Sequence, residues 1–176
     1  MPCEGRTPAG ACPAVPAWPN RPCRRRTGRT RHHARVTSSL PEPRPLPLRL
    51  HPGDDLRRAL EAAVAAQGVR AAFVLSGIGS LRPARLRLAG AEQTIELAGD
   101  TELLTLAGSI APGASHLHLS VADDAGRVLG GHAAYGCTVR TTAEVLLALL
   151  PGWAFARADD ARTGWAELVV HRADGR

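Results

Sequence analysis

Long apolar runs are missing from this chain. No stretch approaches the roughly 18 residues of a membrane-spanning helix, so no such span is expected. Aromatic residues are scarce, with three Trp, two Phe and one Tyr in 176 residues, so a core must be built from Leu, Val and Ala. Lysine is absent altogether; every one of the 22 basic residues is arginine, which reads first as coding bias. Cysteine is limited to Cys3, Cys12, Cys23 and Cys137. Their spacings fit neither a zinc knuckle nor a CxxC motif, and three of the four lie near the N-terminus. A disulfide framework is therefore not expected, and a reducing, cytoplasmic setting is. No apolar segment follows the N-terminal charges, so the start does not resemble a secretory signal.

What is present is unevenly distributed. Residues 1–45 hold nine arginines against Glu4 and Glu42, a net charge of +7, whereas residues 46–176 hold thirteen arginines against fourteen acids, a net −1. Ten of the fourteen prolines fall in residues 1–47, without apolar periodicity, and that composition predicts a disordered tail over 1–45. Within it, Arg24, Arg25, Arg26, Arg29 and Arg31 could contact nucleic-acid phosphates. A solvated extension without function is the blander reading and the preferred one. The near-neutral remainder weighs against a DNA-binding face formed by the folded part alone.

From residue 46 the chain is organised as one domain to about 172, with a short tail at 173–176. Leu46 to Leu50 alternates as a first strand, and His51-Pro52-Gly53 turns the chain. Asp54 or Asp55 caps a helix to about Ala66, with Leu56, Leu60, Ala63 and Val64 on one face and Gly68 beyond its end. Strands are expected at 69–81, 84–88, 94–97 and 101–110. Gly77-Ile78-Gly79-Ser80 invites a phosphate-loop reading, but no third glycine and no helix follow, so close backbone approach is the better account. Residues 137–150 are expected to begin extended and end as a short helix. Strands at 153–158 and 165–171 should close the sheet. The sum is an α+β domain: a large, curved antiparallel sheet with one main helix.

The densest chemistry is His116-Leu117-His118, followed by Gly130-Gly131-His132; three of seven histidines fall in this window. Leu117, Leu119 and Val121 alternate with His116, His118 and Ser120, so the segment reads as a strand whose two histidines share a face, roughly 7 Å apart. Asp123 to Gly126 supplies a turn, and Arg127 to Tyr135 returns as the second strand. A turn centred on Ala125 puts His132 opposite His118. A two-residue turn centred between Ala125 and Gly126 points it away, unless a bulge at Gly130-Gly131 restores the common face. Cys137 is a conceivable further ligand, although a small buried thiol is the simpler reading. His51 and His171 need no role beyond turn and strand end.

Taken in order, several pieces resemble the plants-and-prokaryotes-conserved (PPC) domain. They are Pro52-Gly53-Asp54-Asp55, Ser76 to Ser80, Glu102 to Ile110, His116-Leu117-His118, Gly130-Gly131-His132, Ala143-Glu144-Val145, Thr163-Gly164 and Glu167-Leu168. Each is weak alone; together they cover nearly three-quarters of the chain. The resemblance implies a homotrimer. It also implies a metal site at His116, His118 and His132, for which zinc is the ion that three imidazoles suit; Glu102 and Glu144, within the matched segments, could act as supporting partner or base. The resemblance also carries a DNA-binding label: in plants the domain follows AT-hook motifs, and prokaryotic relatives are commonly labelled DNA-binding. Here Gly5-Arg6-Thr7 and Gly28-Arg29-Thr30 put threonine where a hook needs proline. The reading adopted is an oligomeric binding module with a histidine metal site, associated with DNA. A metal-dependent hydrolase or lyase acting on a small molecule and a non-enzymatic interaction module are the alternatives.

Overall fold

A computed structural model describes residues 41–175. The basic run Arg24–Arg31, and the disorder expected for the tail as far as residue 40, lie outside the described residues; Arg44 and Pro45, expected in that tail, are part of the first strand. The elements are β1 (Arg44–Leu50), α1 (Leu56–Ala66), β2 (Ala72–Leu81), β3 (Ala84–Arg87), β4 (Thr94–Leu97) and β5 (Thr101–Ile110). They continue as β6 (His116–Asp123), β7 (Val128–Ala133), β8 (Val139–Leu149), β9 (Trp153–Asp160) and β10 (Trp165–Arg172). Eight strands form one sheet in the order β1-β8-β2-β5-β6-β7-β3-β4. Every neighbouring pair in it is antiparallel.

Alternation sorts the sheet into two faces. Leu103 and Leu106 on β5, Leu117, Leu119 and Val121 on β6, and Val145, Leu147 and Leu149 on β8 are buried in one cluster with Leu56, Leu60 and Val64 of α1. The helix residues recur at i, i+4 and i+8, which places one apolar stripe against the sheet. Asp55 caps the helix: its Oδ1 accepts from the Arg58 N–H at 3.0 Å. Its Oδ2 accepts from the Gly136 N–H at 2.6 Å, tying the helix start to the loop after β7. Among the described residues, no helix lies over the opposite face. Phe73, Leu75 and Ile78 of β2, Leu104 of β5 and Leu146 of β8 are exposed there. Register shifts interrupt β2 against β8 and β5 against β6, sites where strands bend.

Four expectations are corrected. The first strand begins at Arg44 rather than 46, so Pro45 and Pro47 lie within it; both are tolerated because β1 is an edge strand paired only to β8. Residues 69–71 precede β2, which starts at Ala72. No helical turn ends 137–150: β8 stays extended to Leu149 because β1 and β2 flank it on both sides. Strands β9 and β10 do not close the sheet. They form a separate two-stranded ribbon, joined to the segment before β2 by a bridge between Arg70 and Ala154 and by Phe155 N–H donating to Arg70 O at 3.1 Å. The Phe155 ring meets Phe73 edge-on at 5.3 Å, so the ribbon folds against the open face at the start of β2. Close approach accounts for Gly79: its φ is +151°, and a side chain there would collide with the Thr142 carbonyl of β8.

Candidate metal centre

The site is built by one hairpin on the open face. Its turn settles the register. Asp123 N–H donates to Arg127 O at 3.0 Å, and the Asp123 carboxylate accepts from the N–H groups of Ala125 and Arg127 at 3.0 and 2.9 Å. The loop therefore centres on Ala125, and His118 pairs with His132. Pairing between β6 and β7 is regular, so no bulge at Gly130-Gly131 is needed. On the other side of β6, Ala107 pairs with His118 and Ser109 with His116, leaving only small side chains beside the rings. Gly108 between them has φ +137°, and a Cβ there would run into the His116 carbonyl; only glycine lets β5 come this close to the first histidine.

All three imidazoles converge. His118 Nε2 lies 2.9 Å from His116 Nε2, and His116 Nε2 lies 3.1 Å from His132 Nδ1. One nitrogen from each ring falls within 4.8 Å of the others. Tetrahedral zinc with arms of about 2.0–2.1 Å needs nitrogens about 3.3 Å apart, so two edges are slightly short and the third has room to close. The donor set fits a cation for a second reason. A neutral imidazole nitrogen offers either one proton or one lone pair, never both. His116 Nε2 faces two neighbours and cannot serve both well; a central cation takes three lone pairs at once. Burial, then the Arg157 guanidinium and His118, hold His116 below its ordinary pKa, partly opposed by Glu167. Burial, then Arg87, His118 and His116, do the same to His132. Both rings are thus biased toward the neutral form that ligates metal.

The other expected site residues are elsewhere. Glu102 pairs with Ala122, four residues along β6 from His118, about 13 Å away. Glu144 pairs with Arg49 and Ile78, three strands from β6, about 14 Å across the sheet. Neither joins the cluster within the chain. Cys137 is fully buried in the core, its thiol donating to Arg85 O at 3.1 Å and pushed up in pKa by burial. His51 sits in its turn, its N–H donating to Asp54 at 2.8 Å.

Three residues around the site had no local signal. Arg57 of α1 donates to Ser115 O at 2.6 Å and Ala133 O at 3.2 Å, gripping the carbonyls next to His116 and His132. Arg87 pairs with His132 across β3 and β7. Arg157 comes from the ribbon, 3.8 Å from Glu167. Only the tertiary fold brings these groups to the histidines.

Comparison with known proteins points the same way. Residues 37–151 match the family described as the Plants and Prokaryotes Conserved (PCC) domain. A Synechococcus sp. (strain JA-2-3B'a(2-13)) protein, "Bifunctional protein GlmU", is 44% identical over 149 residues, 80% of this chain and 24% of that protein. The chain thus spans about a quarter of the length of the curated relatives it matches. Among solved structures, a hypothetical protein from Salmonella cholerae-suis is 40% identical with a TM-score of 0.72, covering 74% of this chain and 95% of that one. The metal-containing protein AF0104 from Archaeoglobus fulgidus is 30% identical with a TM-score of 0.64, covering 74% and 96%. A Ralstonia eutropha JMP134 protein named "Putative DNA-binding protein" shares the fold at 24% identity and a TM-score of 0.60, covering 70% and 89%.

Proposed function

The chain belongs to the Plants and Prokaryotes Conserved domain family, and from that premise we propose that it is an oligomeric, metal-holding binding module. The carrying observation is the convergence of His116, His118 and His132, one nitrogen each, within 4.8 Å. The Archaeoglobus relative, 30% identical, is named for containing metal. Zinc is the ion proposed, since neutral imidazoles on a three-nitrogen site suit it and leave a fourth position open. When bound, it supplies a Lewis acid and lowers the pKa of water beside it. The chain's own contribution is to bias His116 and His132 toward the neutral form and to grip, through Arg57, the backbone carbonyls next to them.

A homotrimer is the proposed assembly. The uncovered apolar face, with Phe73, Leu75, Ile78, Leu104 and Leu146, supports burial against other copies. In such an assembly Glu102 and Glu144, which lie on this same face, would act on a site only from a neighbouring chain. The proposed location is cytoplasmic; no helix among the described residues is long and apolar enough to cross a membrane.

Metal content by mass spectrometry on the full chain, beside His116→Ala and His132→Ala, tests the centre. One zinc per chain at pH 7–8, lost in both variants, is the expected result; a metal-free wild type would remove it. His118, exposed at the cluster, favours a second reading as a metal-dependent hydrolase or lyase, to be screened only on zinc-loaded protein. DNA association is proposed through Arg24, Arg25, Arg26, Arg29 and Arg31, with steep salt dependence as its signature.

A further inference from the structure

A second concavity lies where the ribbon meets the sheet. It is a cleft of about 750 Å³, in the size range of small-molecule sites. Arg70, Arg157, His171 and Arg172 line it, with Phe155 and the Gly113 turn as its apolar and backbone walls. Among the described residues, no Asp or Glu is part of its lining. Asp159, Asp160, Glu167 and Asp174 are the acids of the surrounding ribbon and turn. Glu167 reaches Arg157 only at 3.8 Å, and Arg157 donates to Ala166 O at a long 3.5 Å, so this guanidinium is loosely held. The other two are held by contacts with the ribbon and the turn beside it. Arg70 donates to Ala173 O at 3.1 Å, and Arg172 lies over the Trp153 ring at 5.4 Å.

Arg70, Arg157 and Arg172 line one cleft, and like charges gathered there repel, a repulsion that a bound anion relieves. Guanidinium forks match the paired oxygens of carboxylates and phosphates. We propose that the cleft binds the acidic group of a small organic anion, a carboxylate or phosphate ester, between Arg70, Arg157 and Arg172. The anion site requires no metal, and it stands or falls separately from the zinc reading.

Calorimetric titration of the full chain with inorganic phosphate and, separately, succinate, at constant ionic strength, tests this. One or both should bind with Kd of about 1 mM or tighter, and the preferred probe identifies which acid is recognised. Arg157→Gln and Arg172→Gln should each weaken binding at least about tenfold, the loss expected of a charge-assisted pair, with an unchanged unfolding midpoint. His116→Ala should bind the anion as wild type does, whatever its zinc content. Absence of binding to both probes, or equal binding by the arginine variants, overturns the proposal. So does a third arm: a short DNA duplex whose binding both variants abolish would make the cleft a phosphate-backbone contact.

Discussion

The two faces of the eight-stranded sheet carry opposite burdens. The covered face, aliphatic and continuous with α1, holds the domain together; the open face presents histidines among exposed leucines and phenylalanine. One strand serves both: in β6 Leu117, Leu119 and Val121 pack into the core, while His116 and His118 alternate with them on the other face. The lesson is that the geometry of the cluster depends on packing behind it, while its surroundings come from other segments entirely.

Leu117 gives the strongest way to break this division. It is 1% exposed between His116 and His118. Leu117→Ala should cost about 2–5 kcal/mol in denaturant unfolding and lower metal affinity as well, although no ligand is changed. If stability falls while the metal is held as before, the two faces are less coupled than stated. Arg57→Gln should be milder for the fold, about 1–2 kcal/mol by the same measurement, because two carbonyl contacts of a charged donor are lost. Its metal affinity should nevertheless drop about tenfold, a loss typical of groups that orient ligands. The smallest effect on the folded chain belongs to the open face. Ile78→Asp should leave unfolding of the dissociated chain within about 0.5 kcal/mol. Light scattering should then report a mass of one chain where the wild type shows three; an unchanged mass would place the interface elsewhere.

Much of this was legible because period-two alternation is strong in β6 and helical spacing is strong in α1. The histidine register was not settled by composition. Asp123 to Gly126 allows two turns, and the Asp123 carboxylate, by accepting two backbone N–H groups, selects the one centred on Ala125. Residues 145–149 misled because Val-Leu-Leu-Ala-Leu suits a buried helix as well as a central strand; partners on both sides decided it. The ribbon was unreadable as a separate unit, since local sequence specifies strands but not which edge they join. Arg57, Arg87 and Arg157 followed the same limit. Each is an ordinary surface arginine until the chain folds.

The ribbon's antiparallel register has a consequence for how such a site could change. Arg157 stands opposite Leu168, and Glu167 opposite Ala158, so the charge that His116 meets depends on the length of the Asp160–Trp165 connection. Inserting or deleting a single residue there would slip β10 past β9 and turn its alternate side chains over. The hairpin that carries the ligands would keep its own pairing throughout. The charge beside the cluster is thereby written in a short, interchangeable strip, while the histidine frame is locked into the sheet.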